Sequence, residues 1–266
     1  MKAGGAEKFF LGCAAVILTA LLCAAANAPE AKPVSLVEKA KDLQKRGRYQ
    51  KAIKIYERIL KKNQTKPSPD GIEEIRKDYE ILKIKLLLSK AKHAKELDYT
   101  VAEGDTLYEL ARKYGTTTDL IKGNNGLKTD WLYPGMKLKI VQGVFTLQID
   151  KSRNRLFLLI DGKPVKRYRV ATGAEDKTPE GTFKIVNKIE QPTWYRTGAV
   201  VPSGSPDNSL GSRWLGFDLK GYGIHGTLEP ESIGKHVSLG CIRMLNEDVE
   251  ELYSLLPLDT EVTIAK

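Results

Sequence analysis

The chain has 266 residues, of which 41% are hydrophobic and 29% are charged, a balance typical of a globular protein with one to three small domains. This composition excludes a fibrous or a wholly disordered chain. The formal charge of +10 is concentrated between residues 34 and 96, where 18 Lys and Arg stand against 9 Asp and Glu, so the remainder of the chain is close to neutral.

The first 28 residues indicate export. Lys2 and Lys8 precede the apolar run FFLGCAAVILTALLCAAA, which ends in small residues as a secretory signal does. Cleavage after Ala26 or Ala28 is one alternative, and retention as a membrane anchor is the other, because the run is near the length that spans a bilayer. We therefore expect the protein in the periplasm or cell wall, which argues against nucleic acid as a partner.

Residues 34–96 predict a helical segment with a break at Gly47, a loop at NQTKPSPDG and a further helix from about Ile72 to Lys95. The first part resembles one tetratricopeptide unit, on the strength of Gly47, Tyr49, Ala52 and Tyr56. We interpret the segment as a spacer or docking element. Its positive charge suits an anionic envelope polymer, a membrane surface or a protein partner, and a solvated helix face is the alternative.

Residues 98–141 predict a small strand–helix–helix–strand (βααβ) module. Thr106 and Glu109 have capping-box spacing at the start of its first helix. The run YTVAEGDTLYELARKYG and the residues that follow resemble a LysM module. The resemblance implies binding to glycans that contain N-acetylglucosamine, in a shallow groove lined by Gly104, Asp105, Thr106, Leu107, Asn125, Gly126 and Leu127. Alternatively, the residues from Gly104 to Thr106 only build the turn and the helix cap.

Residues 144–266 predict a mainly β domain. The runs VFTLQID, RLFLLID, VKRYRVATG and KTPEGTFKIVNK alternate or are apolar, and turn sequences separate them. We expect a β-sandwich or an open barrel with a short helix near Glu247 to Leu255. The chain as a whole is therefore predicted to be multidomain, with a helical hairpin, a βααβ module and a β domain.

A single cysteine, Cys241, lies outside the export segment. A thiol is a strong nucleophile only as the thiolate, so activation needs a nearby base or a positive charge. His225 ends a predicted strand and His236 lies five positions before the thiol, and spacing alone does not decide between them. Gly240 allows a carbonyl to approach the main chain, where N–H groups beside Cys241 would serve as oxyanion donors. The alternative is a buried cysteine that acts as a small hydrophobic residue.

The pattern HGT…IG…S-x-GCIRM…N-x-DV…LY, with TGAEDKTPEGTF upstream, resembles an L,D-transpeptidase catalytic domain of the YkuD type. The resemblance implies that Cys241 is the nucleophile and His225 the general base and acid. It also implies that the Gly226 carbonyl orients the imidazole, that Ser238 supports the turn, and that Arg243 positions the site or the donor peptide.

Two residues differ from what this motif requires. His236 matches no required position, which favours His225 as the base, and Leu239 replaces a histidine that many family members carry before the glycine.

The implied reaction passes the acyl group of a peptidoglycan stem tetrapeptide, through a thioester, to an amine of a second stem or of a protein. It needs no metal or organic cofactor. An L,D-carboxypeptidase, another cysteine peptidase and a non-catalytic peptidoglycan-binding protein are the alternatives.

Overall fold

A computed structural model describes residues 35–63, 71–93, 95–196 and 198–266. The predicted signal segment 1–28 and most of the loop NQTKPSPDG lie outside these residues. None of the helices within the described ranges is long and apolar enough to cross a membrane.

The spacer, residues 34–96, contains the helices α1 (Leu36–Lys45), α2 (Tyr49–Lys62) and α3 (Ile72–Leu87). Ser35 caps α1 in a capping box with Glu38. Gly47 turns the chain between α1 and α2 with a φ of +69°, a conformation that favours glycine. The predicted third helix was too long, because the chain leaves the helix after Leu87. The resemblance to a tetratricopeptide unit stays a prediction.

The βααβ module contains β1 (Glu96–Thr100), α4 (Leu107–Lys113), α5 (Thr118–Asn125) and β2 (Lys137–Val141), and the two strands pair antiparallel. Thr106 and Thr117 cap the two helices, each accepting a backbone N–H three residues ahead at 3.1 Å. Helix α5 packs on β2, and the module has its own core, formed by Val101, Leu107, Leu110, Ala111, Ile121, Leu138 and Ile140.

The C-terminal domain is mainly β, as predicted. Its strands are β3 (Phe145–Asp150), β4 (Arg155–Ile160), β5 (Lys163–Arg169), β6 (Thr172–Gly173), β7 (Gly181–Glu190), β8 (Trp194–Arg196), β9 (Ala199–Val201), β10 (Arg213–Phe217), β11 (Gly223–His225), β12 (His236–Ser238), β13 (Ile242–Arg243) and β14 (Glu261–Ala265), with helix α6 (Asn246–Leu255) before the last strand.

Eight of these strands form one sheet in the order β13-β11-β10-β7-β14-β3-β4-β5. The pairs β11–β13 and β3–β14 are parallel, and the other neighbours are antiparallel. Two short pairs, β6–β12 and β8–β9, lie outside this sheet. The strand β3 buries alternate residues, as a strand with one face on a core does.

The spacer and the βααβ module both contribute to the core of the C-terminal domain. Ile84 of α3 and Leu120 of α5 belong to the same buried cluster as the sheet residues. The Thr117 hydroxyl donates to the Ser254 carbonyl of α6 at 2.6 Å, and Arg167 of β5 pairs with Glu80 of α3 at 2.8 Å. The three parts therefore pack as one body.

Candidate active site

Cys241 lies in a tight turn between β12 and β13 that Ser238 closes. The buried Ser238 hydroxyl accepts the Gly240 N–H at 3.1 Å and donates to the Cys241 carbonyl at 2.6 Å. Gly240 has a φ of +133°, and a Cβ there would lie 2.8 Å from the Tyr222 ring. Both the backbone conformation and the lack of space therefore require glycine before the thiol.

Thr178 fixes the same turn from a second side. Its buried hydroxyl accepts the Gly173 N–H at 2.7 Å and donates to the Gly240 carbonyl at 2.9 Å. Because a trans peptide directs its C=O and N–H to opposite sides, the bond to Thr178 orients the N–H of Cys241 as well. That N–H donates to no group in the described part of the chain.

The thiol of Cys241 is half-buried and points at a backbone segment. Its Sγ donates to the Gly221 carbonyl at 3.4 Å. Burial raises the pKa of the thiol above its ordinary value of 9.0, while the Gly223 backbone and the charge of Arg243 act in the opposite direction. At neutral pH the resting thiol is therefore protonated.

The imidazole of His225 is buried at the end of β11. Its Nδ1 lies 2.6 Å from the Gly226 carbonyl, which accepts only if Nδ1 carries the hydrogen, so Nε2 is the nitrogen that can take a proton. Trp214 of β10 stacks on the ring with 5.9 Å between the centroids. Burial lowers the pKa of His225 to about 4, and the Arg243 charge also lowers it.

His225 and Arg243 project from the same face of the sheet, and Cys241 lies in the turn two residues before Arg243. Ile224 pairs with Ile242 and His225 with Arg243 in the parallel register of β11 and β13. Because both isoleucines lie in the core, the alternation of side chains sends their neighbours to the opposite face.

Strand spacing puts the Cα atoms of His225 and Cys241 roughly 8 Å apart, as diagonal neighbours. In the described structure no hydrogen bond joins the thiol to the imidazole, since the thiol faces the Gly221 carbonyl. A rotation about the Cα–Cβ bond of Cys241 is the movement that would direct the thiol toward the imidazole.

Arg243 brings a positive charge to this face. Its Nη1 donates to the Glu229 carboxylate at 2.8 Å, and its buried Nε has no partner among the described residues. The side chain is 15% exposed. The guanidinium therefore contributes a fixed positive charge near the thiol and the imidazole, and this charge acts to lower the pKa of both groups.

Asn246 is a residue that the sequence reasoning quoted in the motif without a role. Its Oδ1 accepts the Ser212 N–H at 3.0 Å and its Nδ2 donates to the Thr227 carbonyl at 3.1 Å. A Cβ on Gly226 would lie 2.1 Å from that Oδ1. Asn246 thus holds the segment after His225, and Gly226 allows its close approach. Thr178 also supports the site, and the sequence reasoning assigned it no role because it appeared only as one residue within TGAEDKTPEGTF.

His236 is engaged elsewhere in the fold. Its Nδ1 lies 2.8 Å from the Thr172 hydroxyl, which donates to Asn154 Oδ1, and its Nε2 lies 3.1 Å from Asn154 Nδ2. These contacts hold β12 against β6 behind the Cys241 turn.

Leu239, in contrast, is 79% exposed beside the thiol, so this part of the turn offers an apolar side chain instead of an imidazole.

Most side chains of the predicted glycan groove belong to the fold of the βααβ module. Asp105 accepts from the Tyr99 hydroxyl and the Ala102 N–H, each at 2.7 Å, and Leu107 is only 2% exposed. Asn125 binds the backbone of Lys139 through both ends of its amide. Leu127 packs against the module core, Thr106 is a helix cap, and Gly104 and Gly126 have positive φ.

Three aromatic side chains that the sequence reasoning did not select are exposed on this module. They are Tyr108, Trp131 and Tyr133, and Trp131 is 84% exposed. Exposed aromatic rings provide stacking surfaces for sugars, and the closeness of Trp131 and Tyr133 to the turn at Pro134 was the available signal for two of them. No group of three or more His, Cys, Asp or Glu side chains in the described ranges could hold a metal ion.

Comparison with known proteins shows two family matches. The L,D-transpeptidase catalytic domain, YkuD, matches residues 145–264, and the LysM domain matches residues 99–141. The L,D-transpeptidase YqjB of Bacillus subtilis is 47% identical over 122 residues, which are 44% of this chain and 68% of that protein. The L,D-transpeptidase YkuD of Bacillus licheniformis is 36% identical over 177 residues, which are 63% of this chain and 98% of that protein. The solved catalytic domain of the E. faecium L,D-transpeptidase is 27% identical and covers 46% of this chain and 96% of that one, with a TM-score of 0.38.

Proposed function

The chain belongs to the YkuD family of L,D-transpeptidases, and from this premise we propose that residues 144–266 transfer acyl groups between peptidoglycan stem peptides through a thioester on Cys241. The observation that supports the proposal is the parallel register that pairs His225 with Arg243, two residues after the thiol of Cys241. In this proposal residues 98–141 bind glycan, residues 34–96 are a spacer, and residues 1–28 direct export to the envelope.

The first half-reaction forms the thioester. Cys241 Sγ attacks the carbonyl of the third residue of a tetrapeptide stem, and His225 Nε2 takes the thiol proton. The oxygen that becomes negative is within the reach of the free Cys241 N–H, which acts as an oxyanion donor. The bond to the terminal D-alanine then breaks, and His225 returns the proton to the departing amine.

The second half-reaction releases the acyl group to an acceptor. An amine on the side chain of another stem attacks the thioester, loses a proton to His225 and gives a 3→3 cross-link, while Cys241 recovers its proton. A protein lysine as the acceptor gives protein anchoring, and water gives a carboxypeptidase. Arg243, with its free Nε–H, is the group we assign to a carboxylate of the donor stem.

The opposite pKa shifts determine when the proton moves. Burial raises the pKa of Cys241 and lowers the pKa of His225, so both groups are neutral at pH 7 in the resting site. A thiolate–imidazolium ion pair formed before substrate binds is disfavoured by these shifts. The transfer from Sγ to Nε2 therefore accompanies attack on the carbonyl, as general-base catalysis requires.

The βααβ module serves the same substrate in this proposal. Gly104 leaves backbone accessible at the predicted groove, and the exposed rings of Tyr108, Trp131 and Tyr133 add stacking surface. Binding of a glycan strand raises the local concentration of stems near Cys241.

One assay tests the reaction. Purified protein is incubated with disaccharide-tetrapeptide, and mass spectrometry follows loss of D-alanine and formation of dimers. We expect dimers from the wild type and none from Cys241→Ala. His225→Ala should lower the rate by at least about 100-fold, since a general base contributes roughly 10²–10⁴. His93→Ala is the matched control and should leave the rate unchanged, because His93 lies in the spacer.

The products separate the alternatives. Monomeric tripeptide without dimer would identify a carboxypeptidase. An unchanged tetrapeptide in both the wild type and Cys241→Ala would leave a peptidoglycan-binding protein and refute the catalytic proposal.

A further inference from the structure

A cavity of about 570 Å³ lies on the outer face of the β1–β2 sheet, where the spacer meets the βααβ module. Its floor comes from the residues that alternate with the module core, Asp98 and Thr100 on β1 and Lys137 and Lys139 on β2. Lys90, which follows α3, forms a side of the cavity. The volume is in the range of pockets that hold small ligands.

The cavity carries an excess of positive charge. Lys137 donates to the Thr100 hydroxyl at 2.6 Å, and Lys139 lies 3.6 Å from the Glu96 carboxylate. Lys90 has neither a hydrogen bond nor an ion pair within the described part of the chain. With Asp98 as the one carboxylate in the lining, an anion is the ligand charge that this cavity favours.

The position of Lys90 is built into the fold. Its side chain passes over Gly126, where a Cβ would lie 1.9 Å from Lys90 Cε. The C-terminal cap of α5 at Gly126 therefore leaves room for the lysine stem. A cation from the spacer is in this way held against the βααβ module.

Asn124 contributes an unsatisfied acceptor to the same cavity. The side chain is 4% exposed and its Nδ2 donates to the Leu87 and Ser89 carbonyls at 2.6 and 3.1 Å. Its Oδ1 has no hydrogen-bond partner among the described residues. A buried acceptor of this kind costs free energy unless a ligand or water donates to it. Together with Asp98 it suits a ligand that carries hydroxyl or amide donors.

We propose that this cavity is a second wall-binding site, which takes a carboxylate-bearing peptidoglycan fragment, with the carboxylate at Lys90 and Lys137 and the sugar or amide groups at Asn124 and Asp98. The inference rests on the proposed function for its substrate class. The site adjoins the predicted LysM groove and shares Asn125 with it, but none of the groove residues from Gly104 to Leu107 lines it. Its role would be to distinguish glycan that carries stems from bare glycan.

Calorimetric titration of the full chain with two probes tests this inference. The first probe is a disaccharide-tripeptide, which lacks the terminal D-alanine and is not a donor for thioester formation, and the second is neutral chitotetraose. We expect Lys90→Glu to weaken binding of the disaccharide-tripeptide about tenfold or more, as loss of a charge-assisted contact does, and to leave chitotetraose binding unchanged. Affinity for the charged probe should also fall as ionic strength rises.

Three controls make the result decisive. Lys90→Met keeps the stem over Gly126 and removes only the charge, so it should reproduce most of the loss. Lys54→Glu makes the same change of net charge on α2, away from the cavity, and should bind as the wild type does. A tripeptide probe with amidated carboxylates should bind equally to the wild type and to Lys90→Met.

Equal affinity of the wild type and Lys90→Glu for the charged probe would overturn the inference. An equal loss for both probes would also overturn it, because Lys90 would then support the neutral groove. Since neither probe reports on acylation of Cys241, these outcomes are independent of failure in the cross-linking assay.

Discussion

Two buried neutral groups define the resting site at the scale of single residues. His225 lies under Trp214, and its imidazole stays uncharged because burial opposes protonation. The thiol of Cys241 stays protonated for the same physical reason. The turn around the thiol is meanwhile fixed by Ser238 and Thr178, so the site positions the proposed nucleophile without ionising it.

The acid limb of the pH profile follows from the pKa of His225. Only the neutral imidazole accepts the thiol proton, so kcat/KM should fall as the pH drops through about 4, instead of near the ordinary histidine value. Steady-state kinetics with disaccharide-tetrapeptide between pH 3 and about 8 measure this limb. Trp214→Ala should move the limb to higher pH, because water then reaches the ring. If kcat/KM of the wild type instead fell at about pH 6.5, the burial of the imidazole would be contradicted.

At the scale of elements, α5 joins the three parts of the molecule. Its N-cap residue Thr117 bonds to Ser254 of α6, its Leu120 enters the core of the C-terminal domain, and its Asn124 caps the carbonyls after α3. A helix that resembles part of a wall-binding module therefore also covers the core of the proposed catalytic domain. This explains why α3 ends where it does, since the Asn124 amide satisfies the carbonyls of Leu87 and Ser89.

Truncation of Leu120 should destabilise the C-terminal domain as well as the βααβ module. Leu120→Ala removes a fully buried side chain, and the free energy of unfolding should fall by about 2–5 kcal/mol. Urea unfolding measures this loss, and hydrogen exchange should show faster exchange in α6. Arg112→Ala, at an exposed position of α4, is the control and should change stability by less than about 0.5 kcal/mol. Faster exchange confined to residues 98–141 would contradict the role of α5.

At the scale of the whole molecule, the spacer, the βααβ module and the C-terminal domain share buried surface. Ile84 and Leu120 pack into one cluster with the sheet, and the ion pairs of Arg167 with Glu80 and Glu73 join β5 to α3. The proposed glycan groove and Cys241 are thus held in a fixed relation by the core that the described residues share.

The shared core predicts cooperative unfolding. Differential scanning calorimetry of the chain should show one transition, with equal calorimetric and van't Hoff enthalpies, because neither small part keeps its buried surface alone. A deletion of residues 35–93 should lower the melting temperature of what remains. Two separate transitions in the intact chain would show that the parts fold independently.

The sequence by itself determined the features that depend on near neighbours. The periodicity of apolar residues predicts the helices and strands, and Thr106 predicts the start of α4 because a cap acts over three residues. Gly240 before Cys241 is likewise a local requirement, since a φ of +133° is strained for any other residue. The motif around Cys241 was enough to identify the family, because its members share that spacing.

Only the tertiary structure decided the features that join distant residues. Spacing left His225 and His236 equal and the motif favoured His225. Only the fold showed that both nitrogens of His236 contact Thr172 and Asn154 and that His225 is buried under Trp214. Three further features depend on contacts between residues that lie far apart in the chain. They are the hydrogen bond of Thr178 to the Cys241 turn, the end of α3 at Leu87, and the cavity beside Lys90. Burial and pKa are properties of the surroundings in space, and no local pattern of residues specifies them.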